Sequence, residues 1–397
     1  MQRQFDRAVA LLHHMTYPAA HAAFRVVTER DPGCALGYWG MAMTLFQPLW
    51  PTRPGPEELR QGRELMREAR GRVDGGGRES MFVSAGEAFF DSEGNPYYWT
   101  RLRRWADATR AIHEAYPADL EAKAFFALAH LAMAPGSDDP AAYHARAAGL
   151  LEEILAEEPN HPGGIHYTIH ANDFTDRETE SLDVVRRYGE IAPKNPHALH
   201  MPTHIFVRLG HWEEVVDWNR LAAEAALAQP AGPEEQYVWD EFPHAVEYLL
   251  YAHLQRADDA AAHELLRTLR ETPDLQPSFK TAFHLASTAA RFALERRDWQ
   301  EAAELAPRTP EFLRWDRYPW PEAISWFARG LGAVHMGDED SVLRSLDRLT
   351  ALGERASDAG EFASQIEVLR LELEAWQRFA AGERQEAVRL LEDAVRL

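Results

Sequence analysis

Four histidines form two pairs whose residue type and spacing suit the binding of a metal ion. His166 and His170 lie in the stretch GIHYTIHAND, and His200 and His204 lie in HALHMPTHIF. The residues of each pair are four apart, and the second pair follows the first after 34 residues. Side chains four apart share one face of an α-helix. Neutral imidazoles are ligands for Zn, Cu, Fe and Ni, so the pattern predicts a transition-metal site.

The elements that must position these pairs are predicted to be helices arranged in pairs. The clearest unit covers 196–228, where a first helix ends at Gly210 and an alanine-rich second helix follows Trp212. Asn195 suits a helix N-cap, and Gly210 suits a helix C-cap. The sequence has no alternating apolar runs joined by Asn-Gly or Asp-Gly turns, which are typical of β-hairpins. We therefore predict an all-α fold.

The recurring pattern is an aromatic residue at the turn, an alanine-rich second helix and a proline near its end. It resembles the tetratricopeptide repeat (TPR) family, most specifically over 145–228 and 295–306. The resemblance implies an α-solenoid of helix–turn–helix repeats, an α–α superhelix, over 1–397 as a single domain. We expect the following special regions: loop insertions near 46–78 and 229–240, and histidine-rich repeats over 160–250. The histidine region also resembles uncharacterised bacterial TPR-like proteins that share the motifs HPGxxHYxIHA and HxxHMPxHIxxRLG.

The TPR resemblance implies where the histidines point. In TPR proteins the second, fifth and ninth positions of the first helix face a concave groove. The resemblance therefore places these residues on one groove wall: His166, His170, His197, His200 and His204. An earlier repeat has Trp39 at an equivalent position, so the fold itself does not require histidine there.

Alternatives to a metal site remain open from the sequence. The same histidines would also suit a metal-free polar groove or packing in the core. Pro202 adds a second ambiguity, because proline removes a backbone donor and disturbs a helix interior. Either the helix is kinked between His200 and His204, or it begins later and His200 lies near its cap.

The next repeat supplies candidates that would support a metal centre. His244 is a further candidate ligand, and Glu247 and Asp240 are candidate catalytic residues that would act as general bases. Asp240 suits a solvated helix start equally well, because carboxylates favour the positive end of the helix dipole.

A substrate groove is expected beside the histidines. A proline-rich loop, FQPLWPTRPGP, carries Trp50, which would cover one end of the groove. We expect these side chains to line it: His197, Arg208, Trp39 and Trp50. An apolar cleft with a few polar groups is the usual site for a small molecule.

Composition excludes several classes of protein. The chain of 397 residues has a net charge of −21 and a single cysteine, Cys34. This charge repels phosphate backbones and anionic lipids, so we expect neither nucleic-acid nor membrane partners. One cysteine excludes an internal disulfide and an all-cysteine metal site. The first residues lack the pattern of a secretory signal, so we expect a cytoplasmic protein.

Two classes of function follow from these residues. The first is a metal-dependent enzyme, an oxidoreductase or a hydrolase, that acts on a small molecule. The second is a TPR scaffold, either metal-free or with a structural metal, that binds a peptide or partner protein. The sequence carries no Walker loop, GxSxG elbow or HExxH motif, so no familiar nucleotide or hydrolase mechanism is supported.

Overall fold

A computed structural model of the chain describes residues 1–50, 52–73, 75–90, 97–174, 176–232, 234–359 and 362–397. In these residues helices predominate, and β-structure is limited to two isolated bridges, Ala231 with Tyr237 and Val238 with Leu275. The all-α prediction is confirmed. The chain divides into two compact units, Met1–Gly210 and His211–Leu397. The expected single domain stays a prediction.

The first unit begins with helices that pack in sequence order, each against the next. Its helices are α1 (Gln2–His13), α2 (Tyr17–Arg30), α3 (Ala35–Phe46), α4 (Pro56–Arg70), α5 (Arg78–Phe90), α6 (Tyr98–Ala115), α7 (Leu120–Met133), α8 (Pro140–Glu157), α9 (Pro162–Asn172), α10 (Leu182–Ile191), α11 (Pro196–His200) and α12 (Pro202–Leu209). α3 also packs against α1 and α5, as expected for helical repeats. In addition, α1 packs against α9, which brings residues far apart in the sequence together.

The second unit repeats the same packing of helix pairs. Its helices are α13 (Trp212–Leu227), α14 (Glu241–Gln255), α15 (Asp259–Glu271), α16 (Phe279–Glu295), α17 (Trp299–Glu304), α18 (Pro319–Met336), α19 (Glu339–Ala359), α20 (Ala363–Ala380) and α21 (Arg384–Arg396). Each consecutive pair from α13 to α21 is in contact, and α14, α16, α18 and α20 also pack in series. Gly337 ends α18 with a φ of 72°, a conformation that glycine adopts without steric cost.

The region 46–78 differs from the expected loop insertion because it contains α4. Pro56 begins this helix, two glutamates occupy its first turn, and Met66 and Ala69 are buried in the core of the first unit. Pro56 is the last proline of this region and the first residue of the helix, so no later proline interrupts α4. Pro51 and Asp74 in this region, and Pro233 in the expected insertion at 229–240, lie outside the described residues.

The helix is interrupted between His200 and His204, because α11 ends at His200 and α12 begins at Pro202, and it does not begin later than His200. Met201, between α11 and α12, has φ −53° and ψ −39°, which are helical values. Its N–H donates to the carbonyl of His197 at 2.9 Å, and the N–H of His204 donates to the carbonyl of Met201 at 3.2 Å. His200 and His204 therefore stay on one face across the proline. Among the described helices, none is long and apolar enough to cross a membrane.

Candidate metal centre

Three histidines of the first unit, called here the His166 cluster, bring their ring nitrogens together. His166 and His170 come from α9, and His197 comes from α11. Nε2 of His166 lies 3.2 Å from Nε2 of His170 and 3.2 Å from Nε2 of His197. The pairing of His166 with His170 was expected, whereas His197 was expected only to line the groove. Asn195 sets its position, because the Asn195 side chain caps α11 through the N–H of Ala198.

The proton of His166 is fixed by α1. Nδ1 of His166 lies 2.5 Å from the backbone carbonyl oxygen of His13. A carbonyl oxygen only accepts, so Nδ1 must carry the hydrogen. In the neutral ring Nε2 then holds a lone pair and faces the other two histidines. Hydrogen bonds of this kind orient the ligand histidines of metal sites.

The distances in the His166 cluster fit coordination. Metal–nitrogen bonds of about 2.0–2.1 Å at tetrahedral angles place neighbouring nitrogens about 3.3 Å apart. The two separations from Nε2 of His166 are 3.2 Å, and all three ring nitrogens lie within 4.8 Å of one another. An N–H···N hydrogen bond would explain one such contact. Nε2 of His166 has one lone pair and faces two nitrogens, an arrangement that could also hold a cation.

The protonation of the cluster also suits a metal ion. Burial lowers the pKa of His166 well below its usual value, and repulsion from His170 and His197 lowers it further. Burial, followed by repulsion from His204 and His197, lowers the pKa of His170 to about 3. Both rings are therefore neutral near pH 7, the form in which imidazole binds metal.

His200 and His204 form a separate pair, so the four predicted histidines do not make one group. Their Nε2 atoms lie 3.0 Å apart. Nδ1 of His204 donates to Oδ2 of Asp173 at 3.0 Å, and the same carboxylate accepts from Nε of Arg208. Burial would raise the pKa of Asp173, but the hydrogen bonds from His204 and Arg208 outweigh it and hold that pKa below its usual range. Arg208 is thus paired with Asp173, and its place in a substrate groove stays a prediction.

Neither the His166 cluster nor the pair His200 and His204 lies on an open groove wall. His166 is completely buried, because α1 covers α9 at this point, and His197 and His200 are 4% and 1% exposed. Only His170 and His204 are partly exposed, so they mark the approach to the site.

The two tryptophans expected in the groove have different surroundings. The Trp50 ring lies 5.5 Å from the His197 ring, between centroids, so Trp50 forms part of the wall beside the cluster. The expectation for Trp39 was wrong. Trp39 is 3% exposed and packs against Phe82 and Phe125 in the core of the first unit, because its position on α3 faces inward.

The remaining predicted residues lie in the second unit. Glu247 accepts a hydrogen bond from Nδ1 of His284, and the His284 ring lies 4.3 Å from the His244 ring. Asp240 accepts from the Ser278 hydroxyl at 2.7 Å, and burial raises its pKa. Sequence reasoning missed His284, which lies in an apolar helical stretch without a repeated histidine pattern. Any part played by Asp240, His244 or Glu247 in the metal centre stays a prediction.

A second histidine cluster of the first unit was also missed. We call it the His13 cluster: His13, Glu121, His161 and Tyr167. Nε2 of His13 lies 2.7 Å from Oε2 of Glu121, and Nδ1 of His13 lies 2.9 Å from the Tyr167 hydroxyl. Nδ1 of His161 accepts from the N–H of Gly164 at 3.0 Å, and its Nε2 lies 3.6 Å from Glu121. Its residues come from distant parts of the sequence, so no local spacing reveals it.

Comparison with known proteins finds distant similarity to solved helical structures. No family model and no curated protein matches the chain. A solved structure of human IFIT1 dimer with PPP-AAAA is 15% identical, with 96% of this chain and 69% of that chain covered and a TM-score of 0.37. The APC/C hetero-tetramer Cut9–Hcn1 is 12% identical, with 98% and 75% covered and a TM-score of 0.36. Similarity at this level carries no conclusion about function. The packing of helix pairs within each unit defines the fold as a TPR-like helical repeat.

Proposed function

We propose that the first unit binds a transition-metal ion through His166, His170 and His197, and that the protein is a metal-dependent enzyme acting on a small molecule. The observation that carries this proposal is the convergence of three Nε2 atoms, 3.2 Å apart at His166, with the Nδ1 hydrogen of His166 held by a backbone carbonyl. The two histidine motifs on which the resemblance to bacterial TPR-like proteins rests contain all three of these histidines.

The ligand set restricts the ion. Three neutral imidazoles without a thiolate or carboxylate suit Zn, Cu or Fe better than Mg or Ca, which prefer oxygen ligands. Three protein ligands also leave a coordination position open. Such an ion supplies Lewis acidity and an activated water or, if it is redox-active, a centre for oxidation. Oxidation and hydrolysis both remain within the proposal.

The residues around the ligands have separate tasks. The His13 carbonyl holds the ring of His166 in the tautomer that binds metal. Trp50 provides an apolar surface beside His197, and Tyr17 lies behind it with its ring centroid 6.4 Å from that of Trp50. His170 is the partly exposed one of the three ligands, so a small ligand would approach the ion from its side. Burial of the other two ligands excludes bulk water and strengthens electrostatic interactions at the site.

The carboxylates of the second unit fit different roles from the ones expected. Burial would raise the pKa of Glu247, but the hydrogen bond and charge of His284 outweigh it and lower that pKa. An ionised Glu247 would therefore orient His284, and is a weak base. Asp240 has a raised pKa and suits the transfer of a proton better. We keep Asp240 as the candidate acid–base residue of this unit.

The alternative function is a TPR-like scaffold for a peptide or a partner protein. Engagement of Arg208 by Asp173 and Glu178 weighs against it, because the basic side chain that would clamp an acidic peptide is already paired. Cytoplasmic localisation, and the absence of nucleic-acid partners, remain predictions from the sequence.

Cobalt substitution tests the proposal. The full chain is stripped with chelator and reconstituted with Co²⁺, and visible absorption is followed during titration with azide, a small anionic ligand. We expect the intense bands of a four-coordinate nitrogen site, with a shift on azide binding that reports the open position. Absence of these bands would reject the site. Bands that do not respond to azide would reject the enzyme and leave a structural metal.

A further inference from the structure

We propose that His200 and His204 bind a second divalent transition-metal ion, distinct from the ion of the His166 cluster. The proposal goes beyond the first site, because the sequence suggested one ion shared by all the repeated histidines. In the structure the ring nitrogens of His166, His170 and His197 all lie within 4.8 Å of one another, and those of His200 and His204 are not part of that group.

The His204 ring is oriented as in a metal site. Nδ1 of His204 donates to Oδ2 of Asp173, which accepts only, so the hydrogen of a neutral His204 is on Nδ1. Nε2 therefore presents its lone pair. A carboxylate that holds the far side of a ligand histidine both fixes the ring and makes it a stronger donor. Arg208 in turn holds Asp173 through Oδ1.

His200 completes the pair. It is 1% exposed, and its Nε2 lies 3.0 Å from Nε2 of His204. The helical backbone through Met201 keeps both rings on one face. The hydroxyl of Thr203 donates to the His200 carbonyl at 2.7 Å and stabilises the turn at Pro202, where a backbone donor is missing. The hydrogen bond between the two rings places both Nε2 atoms where one divalent ion, in place of the shared hydrogen, would contact both.

The two ions would occupy neighbouring sites. Asp173 follows α9 directly and hydrogen-bonds to a residue of α12, and α9 packs against α12. The two partly exposed histidines, His170 and His204, therefore lie where the His166 cluster and the pair of His200 with His204 are nearest to each other. A small oxygen ligand, such as a water molecule or an oxyanion, would fill the remaining positions of the second ion.

Zinc stoichiometry of the full-length chain tests the second site. Wild type, His204→Ala, His197→Ala and the double variant are dialysed to equilibrium against the same free zinc concentration, and bound zinc is measured by mass spectrometry. We expect about two ions in wild type, one in each single variant and none in the double variant. His263→Ala, which removes an exposed histidine of the second unit, is the matched control and should bind as wild type.

The outcomes separate this proposal from the first one. One ion in wild type, lost with His197→Ala and retained with His204→Ala, overturns the second site and leaves the first. If wild type binds one ion and each single variant loses it, the two groups of histidines share one site, and the proposal of two separate ions is overturned. Two ions that both survive His204→Ala also overturn it. Zinc that is unaffected by His197→Ala overturns the proposed function instead.

Two conservative variants guard against a loss of folding. His204→Gln keeps side-chain bulk, and Asp173→Asn retains an oxygen that accepts from Nδ1 of His204. Loss of the carboxylate charge should weaken binding of the second ion about 10–100-fold while the first ion remains. Circular dichroism spectra that match wild type are required for each variant. A correctly folded His204→Gln chain that still binds two ions contradicts the proposal.

Discussion

The His166 cluster and the His13 cluster differ in where the protons lie, although both are buried groups of histidines in the first unit. In the His166 cluster, Nδ1 of His166 donates to a carbonyl and three Nε2 atoms converge. In the His13 cluster, Nδ1 of His161 accepts from a backbone N–H, so its neutral ring carries the hydrogen on Nε2 and directs it at Glu121. His166 presents a lone pair to its two neighbours, whereas the His13 cluster presents hydrogens to a carboxylate.

The difference shows that the second nitrogen of each ring decides what a histidine cluster can do. His13, Glu121 and His161 have ring nitrogens and a carboxylate oxygen within 4.8 Å, a spacing that would permit metal binding. A metal ion at Nε2 of His161 would require a hydrogen on Nδ1, where the Gly164 N–H already points. The Tyr167 hydroxyl, His13 and Glu121 instead form a satisfied chain of hydrogen bonds. Of these two clusters, we therefore propose metal binding for the His166 cluster alone.

Removal of a ligand should give the largest difference between the clusters. His166→Ala deletes the nitrogen that faces both other histidines, and should weaken zinc binding at this site by more than about 100-fold, beyond the effect of losing an outer hydrogen-bond partner. His161→Ala should change zinc affinity by less than about threefold, because this ring supplies no lone pair. Isothermal titration calorimetry with zinc measures both. Equal losses in the two variants would break the comparison.

Neutralising Glu121 should give an intermediate effect that links the clusters. Glu121→Gln weakens the hydrogen bonds from His13 and His161 and should lower the unfolding free energy by about 1–2 kcal/mol. This loss is smaller than for a fully buried carboxylate, because Glu121 is one-third exposed. His13 also supplies the carbonyl that holds His166, so zinc affinity should fall by about tenfold. Urea unfolding and zinc titration give the two values. A destabilised variant with unchanged zinc affinity would show that the clusters act independently.

The pH dependence of zinc binding should be unusually small. Protons compete with metal only below the pKa of the ligand, and the His170 pKa is about 3. Zinc affinity should therefore stay within about threefold between pH 7.5 and 5, whereas an exposed site of ordinary histidines weakens by up to about tenfold per pH unit for each ring. Calorimetry at both pH values tests this. A steep decline would mean that the ligand rings titrate normally.

The unfolding free energy of the metal-free chain, unlike its affinity for zinc, should depend on pH. The folded-state pKa values of His166 and His170 lie below the unfolded value of 6.5, so the unfolded chain binds more protons as pH falls below 6.5. The unfolding free energy is therefore at its full value above pH 6.5, and declines toward pH 3. Urea unfolding at pH 7 and pH 5 should show the decline, and His170→Ala should reduce it.

Removal of the metal should leave the fold almost unchanged, which is the smallest of the expected effects. Each unit buries apolar surface between many helix pairs, so one ion is not needed to form the core. Far-UV circular dichroism of the chelator-treated chain at 25 °C should match that of the metal-loaded chain. Loss of most helix would instead make the ion structural, as in zinc fingers.

The sequence predicted the local features of the site better than its tertiary arrangement. The caps at Asn195 and Gly210, and the shared face of His166 and His170, depend on neighbours in the chain, and these are as expected. The 34-residue interval emphasised His200 and His204, but packing of α11 against its neighbours turns His197 toward His166. Contact between His166 and His13 spans 153 residues, and no local pattern encodes it. Burial of Trp39 likewise depends on helices distant in the sequence.

X-ray absorption spectroscopy at the zinc edge tests the central claim most directly, when the chain is loaded with one equivalent of zinc. We expect a first shell of nitrogen and oxygen at about 2.0–2.1 Å, with the outer-shell scattering of three imidazole rings. His197→Ala should remove the scattering of one ring, while the spectrum of His161→Ala should match wild type. A first shell without imidazole scattering, or a spectrum that changes with His161→Ala and not with His197→Ala, would contradict the assignment of the His166 cluster as the metal centre.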